Sequence, residues 1–290
     1  MMSQLVQILG LPFLMCLIMG VILAYFGIHV LKRDIVFINI AVAQVAAIGS
    51  IAAHLAFDAE EDTLISYLFS LGCVLLIAAF YAIARRKIIQ ISIEAVIGIS
   101  YAIMAAGAMF LIGIAPGHAH AEEMLAGKLL WVTWQHIVLC LVVFTAAAFC
   151  FYIFRKPLFR ISENYEGAIT QGLKVVWWDF VFYALLGVVI TVAVRVTGVV
   201  TVFSFLIIPA TISALFSAHW GLRMIIAWTA ATVASLAGLL FAYFFDFSLG
   251  PAIALFLGVV LVIAALLAKY NDVIRQIWNY TWNNISRILP

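Results

Sequence analysis

The chain has 290 residues, of which 67% are hydrophobic and 10% are charged, and its formal net charge is +2. Soluble domains contain roughly a quarter charged residues, so this composition excludes a water-soluble fold. The apolar residues form runs of about 20, the length that crosses a hydrocarbon layer roughly 30 Å thick. The sequence therefore predicts an all-α, polytopic helical membrane protein.

Nine apolar runs are long enough to span a membrane, and each is predicted to be one transmembrane helix. The first run has no basic n-region and no small-residue cleavage site, so we expect it to be retained as a span. The seventh run follows the sixth after barely a residue, which leaves eight crossings and a re-entrant or broken segment as an alternative. The predicted spans are 5–31, 35–57, 64–84, 93–115, 134–154, 176–198, 200–219, 222–245 and 249–269.

The basic residues predict the orientation of the chain. If the N-terminus lies outside the cytoplasm, every lysine and arginine except Lys128 and Arg195 falls in a cytoplasmic segment, as the positive-inside rule requires. Arg195 is near the outer end of the sixth span, where we expect its side chain to snorkel toward the lipid headgroups. The alternatives are an ion pair with an outer-loop acid and a substrate that is not a bare cation.

An outer loop, GHAHAEEMLAG at 117–127, carries two histidines and two glutamates within six residues. Imidazole and carboxylate groups suit zinc or manganese, and His-x-His can direct two nitrogens at one ion when the loop is extended. We predict transient metal capture here, or contact with a protein that delivers the ion; a solvated linker is the alternative. The predicted ligands are His118, His120, Glu122 and Glu123.

The longest cytoplasmic connection, residues 155–175, is too polar to span and contains a helix-length segment expected to end at Gly172. Its motif EGAITQG resembles the E-A-A-x-x-x-G loop with which membrane subunits of ABC importers dock on their ATPase. Glu166, Ala168 and Gly172 match this motif, whereas Gly167 replaces its first alanine. The resemblance implies a coupling helix that carries movement of the ATPase into the spans; an amphipathic connector with a glycine cap is the alternative.

Three further segments resemble the ABC-3 family of bacterial zinc and manganese import permeases. VTGVVTVFSFLIIPATISALF at 196–216 is similar to the family's V-G-x-L-L-v-x-A-L-L-I-I-P-A-A-T-A stretch. Residues 237–267 are similar to its terminal G-L-x-x-S-y-x-x-d-x-p-x-G-x-x-I hairpin, and GIHVLKRDIVFI at 27–38 is similar to the turn after its first span. The matches occur in order along nearly the whole hydrophobic part of the chain.

This resemblance implies a type II importer-like permease that dimerises, binds two copies of a separate ATPase and receives its ion from an extracytoplasmic solute-binding protein. The sequence contains no G-x-x-x-x-G-K-[ST] phosphate loop, so ATP is expected on a partner chain. No catalytic set and no basic-aromatic surface for nucleic acid stands out, and no cofactor is expected besides the transported metal. The predicted domains are a transmembrane permease domain, 1–269, and an amphipathic cytoplasmic helix, 270–290, along the inner membrane face, with a frayed tail as the alternative.

The second span of the family usually carries D-A-x-S-H, with an aspartate and a histidine four residues apart and therefore on one side of a helix. Here FINIAVAQVAAIGS stands in its place, and alignment on Gly49 puts Ile40 at the aspartate and Gln44 at the histidine; a slip of one residue brings in Asn39. Asn39 and Gln44 could offer carbonyl oxygens to a passing ion, with polar contacts between packed helices as the alternative. His54, about 15 Å further out, is a candidate entrance ligand or a hydrated interface residue.

Three other residues are assigned from their positions at or within spans. Pro209 in the seventh span removes a backbone hydrogen bond and permits a kink, which would suit gating or serve packing alone. Asp179 is predicted to lie beside the N-terminus of the sixth span, with a role as exit ligand second. His29 is expected at the membrane interface.

The sequence therefore predicts the permease subunit of an ABC-type importer in the bacterial inner membrane, which works as a homodimer on zinc or manganese by alternating access. Two alternatives stay open. One is import of a chelated metal or a small organic solute, which Gln44 and Arg195 would allow. The other is a membrane scaffold that holds an ATPase without transporting anything.

Overall fold

The computed structural model describes residues 2–57, 63–87, 90–114, 127 and 129–285, and of these only the backbone at 2–6, 112, 114 and 271–285. Throughout these ranges the regular elements are helices. Their bounds are α1 Met2–Lys32, α2 Ile38–Phe57, α3 Leu64–Lys87, α4 Ile93–Ile114, a 3-10 turn Leu129–Trp131, α5 Trp134–Ile153, α6 Arg155–Glu163, α7 Tyr165–Thr170, α8 Val175–Thr197, α9 Val199–Phe216, α10 Trp220–Phe245 and α11 Leu249–Ile285.

Nine of the helices in the described ranges, α1–α5 and α8–α11, are long and apolar enough to cross a membrane. They coincide with the predicted spans to within a few residues, except that α11 extends well beyond the predicted end of the last span. Because each run satisfies its backbone hydrogen bonds within itself, it can enter lipid without unpaired polar groups. The prediction of a polytopic all-α membrane protein is confirmed.

The turn between α8 and α9 consists of a single residue, Gly198. Its φ of 84° and ψ of 158° lie in a region that is essentially restricted to glycine. From there α9 continues as one helix of 18 residues, with Pro209 inside it. The seventh apolar run is thus an unbroken helix, and the described part of the chain has nine candidate crossings rather than eight.

Two helices, α2 and α8, lie at the centre of the bundle. α2 packs against α3 and α4, whereas α8 packs against α3 and α5 and also contacts α2. α1 and α11 both pack against α9 and α10. Small buried residues of α2, among them Ala43, Ala46 and Gly49, allow its neighbours to approach closely. α4, α5 and α11 are mostly exposed, as expected for apolar helices that face lipid or a second subunit.

The short helices α6 and α7 form the predicted cytoplasmic connection, and Asn164 separates them. They lie under the spans, where α6 contacts the end of α1 and the start of α8, and α7 contacts α8. Glu163 of α6 also accepts a hydrogen bond from the indole of Trp220, the first residue of α10. The connection is therefore held against the ends of three spans.

The last helix, α11, runs without a break from Leu249 to Ile285. Residues 270–285 are therefore a direct continuation of the ninth span, and residues 286–290 lie outside the described part of the chain. The placement of this segment along the inner membrane face stays a prediction.

Candidate functional site

The predicted coupling motif, EGAITQG, lies on α7 and on the turn that ends it. Asn164 caps the start of α7, since its side-chain oxygen accepts a hydrogen bond from the Gly167 backbone N–H at 2.7 Å. At the other end the Gly172 N–H bonds to the Ile169 carbonyl at 2.9 Å, and the Leu173 N–H bonds to the Ala168 carbonyl at 3.1 Å. These two bonds form a Schellman cap.

Gly172 occupies the position of this cap that needs a left-handed backbone, with φ at 75°. An L-residue with a β-carbon pays roughly 1–2 kcal/mol in that region, which explains why glycine is found there. The helix end at Gly172 that the sequence predicted is thus present. Its role in coupling to an ATPase stays a prediction.

Gly167 is the position at which the motif departs from the E-A-A pattern, and the structure supplies a reason. A β-carbon built at Gly167 would lie 2.9 Å from the side-chain Cγ and Nδ2 of Asn164. The capping side chain therefore fills the space that an alanine methyl group would need. The cap formed by Asn164 therefore requires a residue without a side chain at position 167.

The motif presents one face to the protein and another to the surroundings. Ala168 is 2% exposed and packs with Ile161 of α6 and Val175 of α8 in a small apolar cluster. Glu166 and Thr170, together with the cap residue Gly172, are exposed on the other side. A short helix that is fixed from above and polar below has the form of a docking element for a partner protein.

A buried ionic joint connects this segment to the spans, and its centre is Arg33, directly after α1. The Arg33 Nη1 donates to Asp179 Oδ1 of α8 at 2.6 Å, and both side chains are completely buried. Its Nε donates to Ser162 Oγ of α6 at 2.8 Å, and its Nη2 donates to the Leu158 carbonyl at 3.1 Å. One guanidinium thus binds α8 and α6 at the same time.

A second arginine, Arg85 of α3, completes the joint. Its Nη1 lies 3.6 Å from Asp179 Oδ1 and donates to the Tyr183 hydroxyl at 3.4 Å. Its guanidinium also lies over the ring of Tyr165, 4.3 Å from the centroid. Burial and the nearby Asp179 carboxylate raise the pKa of Tyr165 to about 12, so the phenol stays protonated at neutral pH. The Asp179 carboxylate thus pairs with two arginines, Arg33 and Arg85.

The structure places Asp179 near the N-terminus of α8, as the sequence predicted, and the assignment of His29 is wrong. The Asp179 carboxylate is buried between Arg33 and Arg85, so it pairs with these arginines and is not open to a passing ion. His29 is not interfacial: it is completely buried, and its Nδ1 lies 2.9 Å from Ser162 Oγ. Neither side chain is available to an ion in this arrangement.

Two polar residues of the second span, Asn39 and Gln44, lie on different sides of α2. Ile40, Ile48 and Ala52 are half-buried, and Gln44, which falls between them at the same four-residue interval, is 8% exposed. We call these four residues the pathway stripe, after its predicted role; Gln44 supplies its polar group. Asn39 lies elsewhere on α2 and is completely buried, with neither side-chain polar atom hydrogen-bonded. Gln44 lies in line with Ile40, and the alignment that places these two residues at the aspartate and histidine positions stays a prediction. A role for either residue in an ion pathway stays a prediction.

Arg195 is fixed within the bundle, contrary to the expected snorkelling. Its Nη2 donates to Ser70 Oγ at 2.7 Å and to Ser66 Oγ at 3.0 Å, both on α3, and its guanidinium lies over the Tyr67 ring. His54 is half-buried near the outer end of α2. Both positions lie on the side of the membrane that the charge distribution predicts to be external.

The predicted ligands in the outer loop lie outside the described residues. These are His118, His120, Glu122 and Glu123. Among the residues that are described, no three histidine, cysteine, aspartate or glutamate side chains converge on one point. Pro209, the predicted kink residue, is buried within a continuous α9.

Apolar spans joined beneath by a pair of short helices, the second of which is capped at both ends, are the features expected of the membrane subunit of an ABC transporter. The chain matches the model of the ABC 3 transport family over residues 6–268, and it belongs to this family. It is a multi-pass permease subunit of the bacterial inner membrane, and it leaves ATP hydrolysis to a partner.

Relatives and a solved structure agree with this membership. The "Probable iron transport system membrane protein" of Haemophilus influenzae is 22% identical over 219 residues, 73% of this chain and 78% of that protein. The "Manganese transport system membrane protein MntB" of Synechocystis is 24% identical over 212 residues, 72% of this chain and 68% of that protein. Two further relatives are longer, and the chain spans 63% and 64% of their lengths.

The fold is shared with PsaBC from Streptococcus pneumoniae, solved in complex with Fab. The TM-score is 0.75 at 20% sequence identity, and the match covers 91% of this chain and 95% of that chain. At this identity the likeness concerns the arrangement of helices.

Proposed function

We propose that the chain is the permease of an importer for divalent metal ions, zinc or manganese, and that it works by alternating access. A homodimer of the chain would surround the pathway, two copies of an ATPase would bind beneath it, and an extracytoplasmic solute-binding protein would deliver the ion. Membership of the ABC 3 transport family supports this proposal, as do relatives named for iron and manganese transport.

The observation that carries the proposal is the construction of the segment 155–175. α7 is capped at both ends, packed from above through Ala168 and exposed below through Glu166. A helix fixed in this way transfers a push on its lower face to the spans, because its upper face is in contact with the start of α8. Such a segment suits an ATPase partner better than it suits a passive connection.

The pathway stripe on α2 constrains how the cargo is handled. It offers the amide of Gln44 and otherwise apolar side chains, so an ion passing it meets a neutral ligand of modest strength. Tight capture would then take place before entry, at the solute-binding protein or at the loop that carries His118, His120, Glu122 and Glu123. A weak site within the membrane favours release, which every transport cycle requires.

A second candidate cargo is a chelated metal or a small organic solute. The uncharged character of the pathway stripe favours it, because Ile40 and Gln44 replace the charged and imidazole ligands that a bare cation prefers. The two metal cargoes differ in one measurable respect. A free metal ion is taken up without any added chelator, whereas uptake of a chelated metal requires the chelator.

Reconstitution of the chain with its ATPase and its binding protein in liposomes tests the proposal. We expect Mn²⁺ or Zn²⁺ to stimulate ATP hydrolysis and to accumulate in the lumen without any added chelator. Stimulation only by a chelated metal would replace the first candidate with the second. No response to free or chelated metal, with all partners present, would overturn metal import in either form and leave a small organic solute as the cargo to test.

A further inference from the structure

Arg33 is the residue at which the coupling segment and two spans are joined. It follows α1 directly, its Nη1 binds Asp179 of α8, and its Nε and Nη2 bind Ser162 and Leu158 of α6. All three nitrogens of the guanidinium are therefore used, each toward a different acceptor. The planar group also lies over the Phe182 ring of α8, with Cζ 4.0 Å from the centroid.

Ser162 extends the joint to α1 itself. Its hydroxyl accepts from Arg33 Nε, lies 2.9 Å from His29 Nδ1 and donates to the Leu158 carbonyl at 2.9 Å. Since His29 belongs to the last turns of α1, the side chain of Ser162 is held from two points on that helix end. α6 consequently cannot shift relative to α1 without breaking at least two buried hydrogen bonds.

The buried ion pair of Arg33 and Asp179 contributes little to the stability of the fold, but it holds the elements it connects in fixed relative positions. Removing two charges from water costs several kcal/mol each, so a buried ion pair contributes little net stability compared with apolar packing. The guanidinium, however, presents its donors in a rigid plane, and a displaced carboxylate or hydroxyl would leave a buried charge unsatisfied. The pair thus fixes the relative positions of the elements it connects.

A nearby exposed pair provides a contrast. Lys32, the neighbour of Arg33, forms an ion pair with Glu163 of α6 at 3.6 Å, and the two side chains are 25% and 55% exposed. It links the same two helices, yet both side chains are partly exposed, so water and salt screen the pair. Charged side chains therefore connect α1 to α6 in two places, once through the buried Arg33 and once through the exposed pair of Lys32 and Glu163.

We propose that Arg33 is a positioning residue that transmits displacement of the coupling segment to α1 and α8, and that it thereby couples ATP hydrolysis to transport. This inference rests on the proposed function, since it requires an ATPase beneath the segment 155–175. Arg33 does not contact the cargo or the nucleotide. It acts through Ser162 and Asp179, and its loss separates hydrolysis from uptake.

The test uses the full chain with its ATPase and binding protein in liposomes and compares Arg33→Gln, Ser162→Ala and the matched control Lys32→Gln. We expect all three to retain the ATPase on purification. In Arg33→Gln and Ser162→Ala the number of Mn²⁺ ions taken up per ATP should fall about tenfold, within the usual range of coupling between two sites. In Lys32→Gln this ratio should match that of the unmodified chain.

A triple variant, Arg33→Met with Arg85→Met and Asp179→Leu, addresses the case in which Arg33→Gln fails to fold. It removes all three charges of the joint and leaves none of them unpaired, so we expect its thermal midpoint in detergent to be retained while the uptake per ATP stays low. A structural role alone would lower the midpoint and leave the ratio unchanged. Unchanged uptake per ATP in folded Ser162→Ala and in the triple variant would overturn the inference.

The proposed function and the role of Arg33 are overturned by different results. If the unmodified chain neither retains an ATPase nor transports metal or chelate, the proposed function is overturned and the inference with it. If the unmodified chain couples hydrolysis to uptake and the variants do so equally well, the proposed function stands and the role of Arg33 is overturned alone.

Discussion

Gly27 of α1 lies directly against the backbone carbonyl of Leu206 in α9. A β-carbon at position 27 would overlap that carbonyl oxygen, and the atoms in its way belong to the main chain of a buried helix. The contact brings two helices of the bundle core as close as their backbones allow, the packing typical of small residues in membrane helices. It lies one turn of α9 before Pro209.

Gly27→Ala should therefore destabilise the fold by about 3 kcal/mol, because neither helix backbone can move aside without disturbing the packing around it. Thermal unfolding of the purified chain in detergent measures the effect. The matched control is Gly10→Ala in the same helix, where a β-carbon has nothing within 4 Å. Equal midpoints for the two variants would show that α1 and α9 are not packed this closely.

Substitution at Gly172 should weaken binding of the ATPase without disturbing the spans. Proline there removes the N–H that bonds to Ile169 and fixes φ near −65°, whereas the observed φ is 75°. We expect Gly172→Pro to weaken association about tenfold or more, a change of at least roughly 1.4 kcal/mol. Co-purification and equilibrium binding provide the measurement.

Gly172→Asn is the control for this effect, since asparagine adopts the left-handed region more readily than other residues with a β-carbon. Space does not limit the substitution, because nothing lies within 4 Å of a β-carbon at this position. Association close to that of the unmodified chain is expected. Loss of binding in Gly172→Asn equal to that in Gly172→Pro would mean that the glycine itself, and not the cap conformation, contacts the partner.

The effect of Gly167→Ala should depend on whether Asn164 is present. In the native background the new methyl group displaces the capping side chain, and the loss of the cap, about 1 kcal/mol, offsets the roughly 1 kcal/mol by which alanine favours a helix over glycine. In an Asn164→Ala background that conflict is gone, and alanine should then stabilise the helix by about 1 kcal/mol relative to glycine. Protease sensitivity of the segment 155–175 reports its local stability, and additive effects of the two changes would contradict the contact.

Gln44 and Asn39 should differ in what their removal does. Gln44→Ala removes the polar group from the pathway stripe and should lower the rate of metal uptake several-fold with little change in stability. Asn39→Ala removes a buried amide whose polar atoms have no hydrogen-bond partner, and it should leave uptake unchanged and the thermal midpoint equal or higher. Uptake assays on the two variants side by side measure this, and the opposite pattern would place Asn39 in the pathway.

Much of the fold followed from the sequence, because length and apolarity decide what can cross a bilayer. The spans and the helix end at Gly172 are local properties and were predicted within a few residues. The joint between Arg33 and Asp179 was not, since 146 positions separate them along the chain and no local pattern names the partner of a charge. The contacts of Arg195 were not predicted for the same reason. Its position in the sequence suggested that it reaches the lipid headgroups, whereas its side chain donates to serines of α3.

The antiparallel helices α3 and α8 are linked at both ends by arginine side chains, one from each helix. Arg85 of α3 reaches Asp179 and Tyr183 near the start of α8, and Arg195 near the end of α8 reaches Ser66 and Ser70 of α3. Sliding by one helical turn, about 5.4 Å, would break both fastenings at once. The two helices are thus held as one unit, and in the proposed alternating access they would tilt together while contacts of other helices open and close.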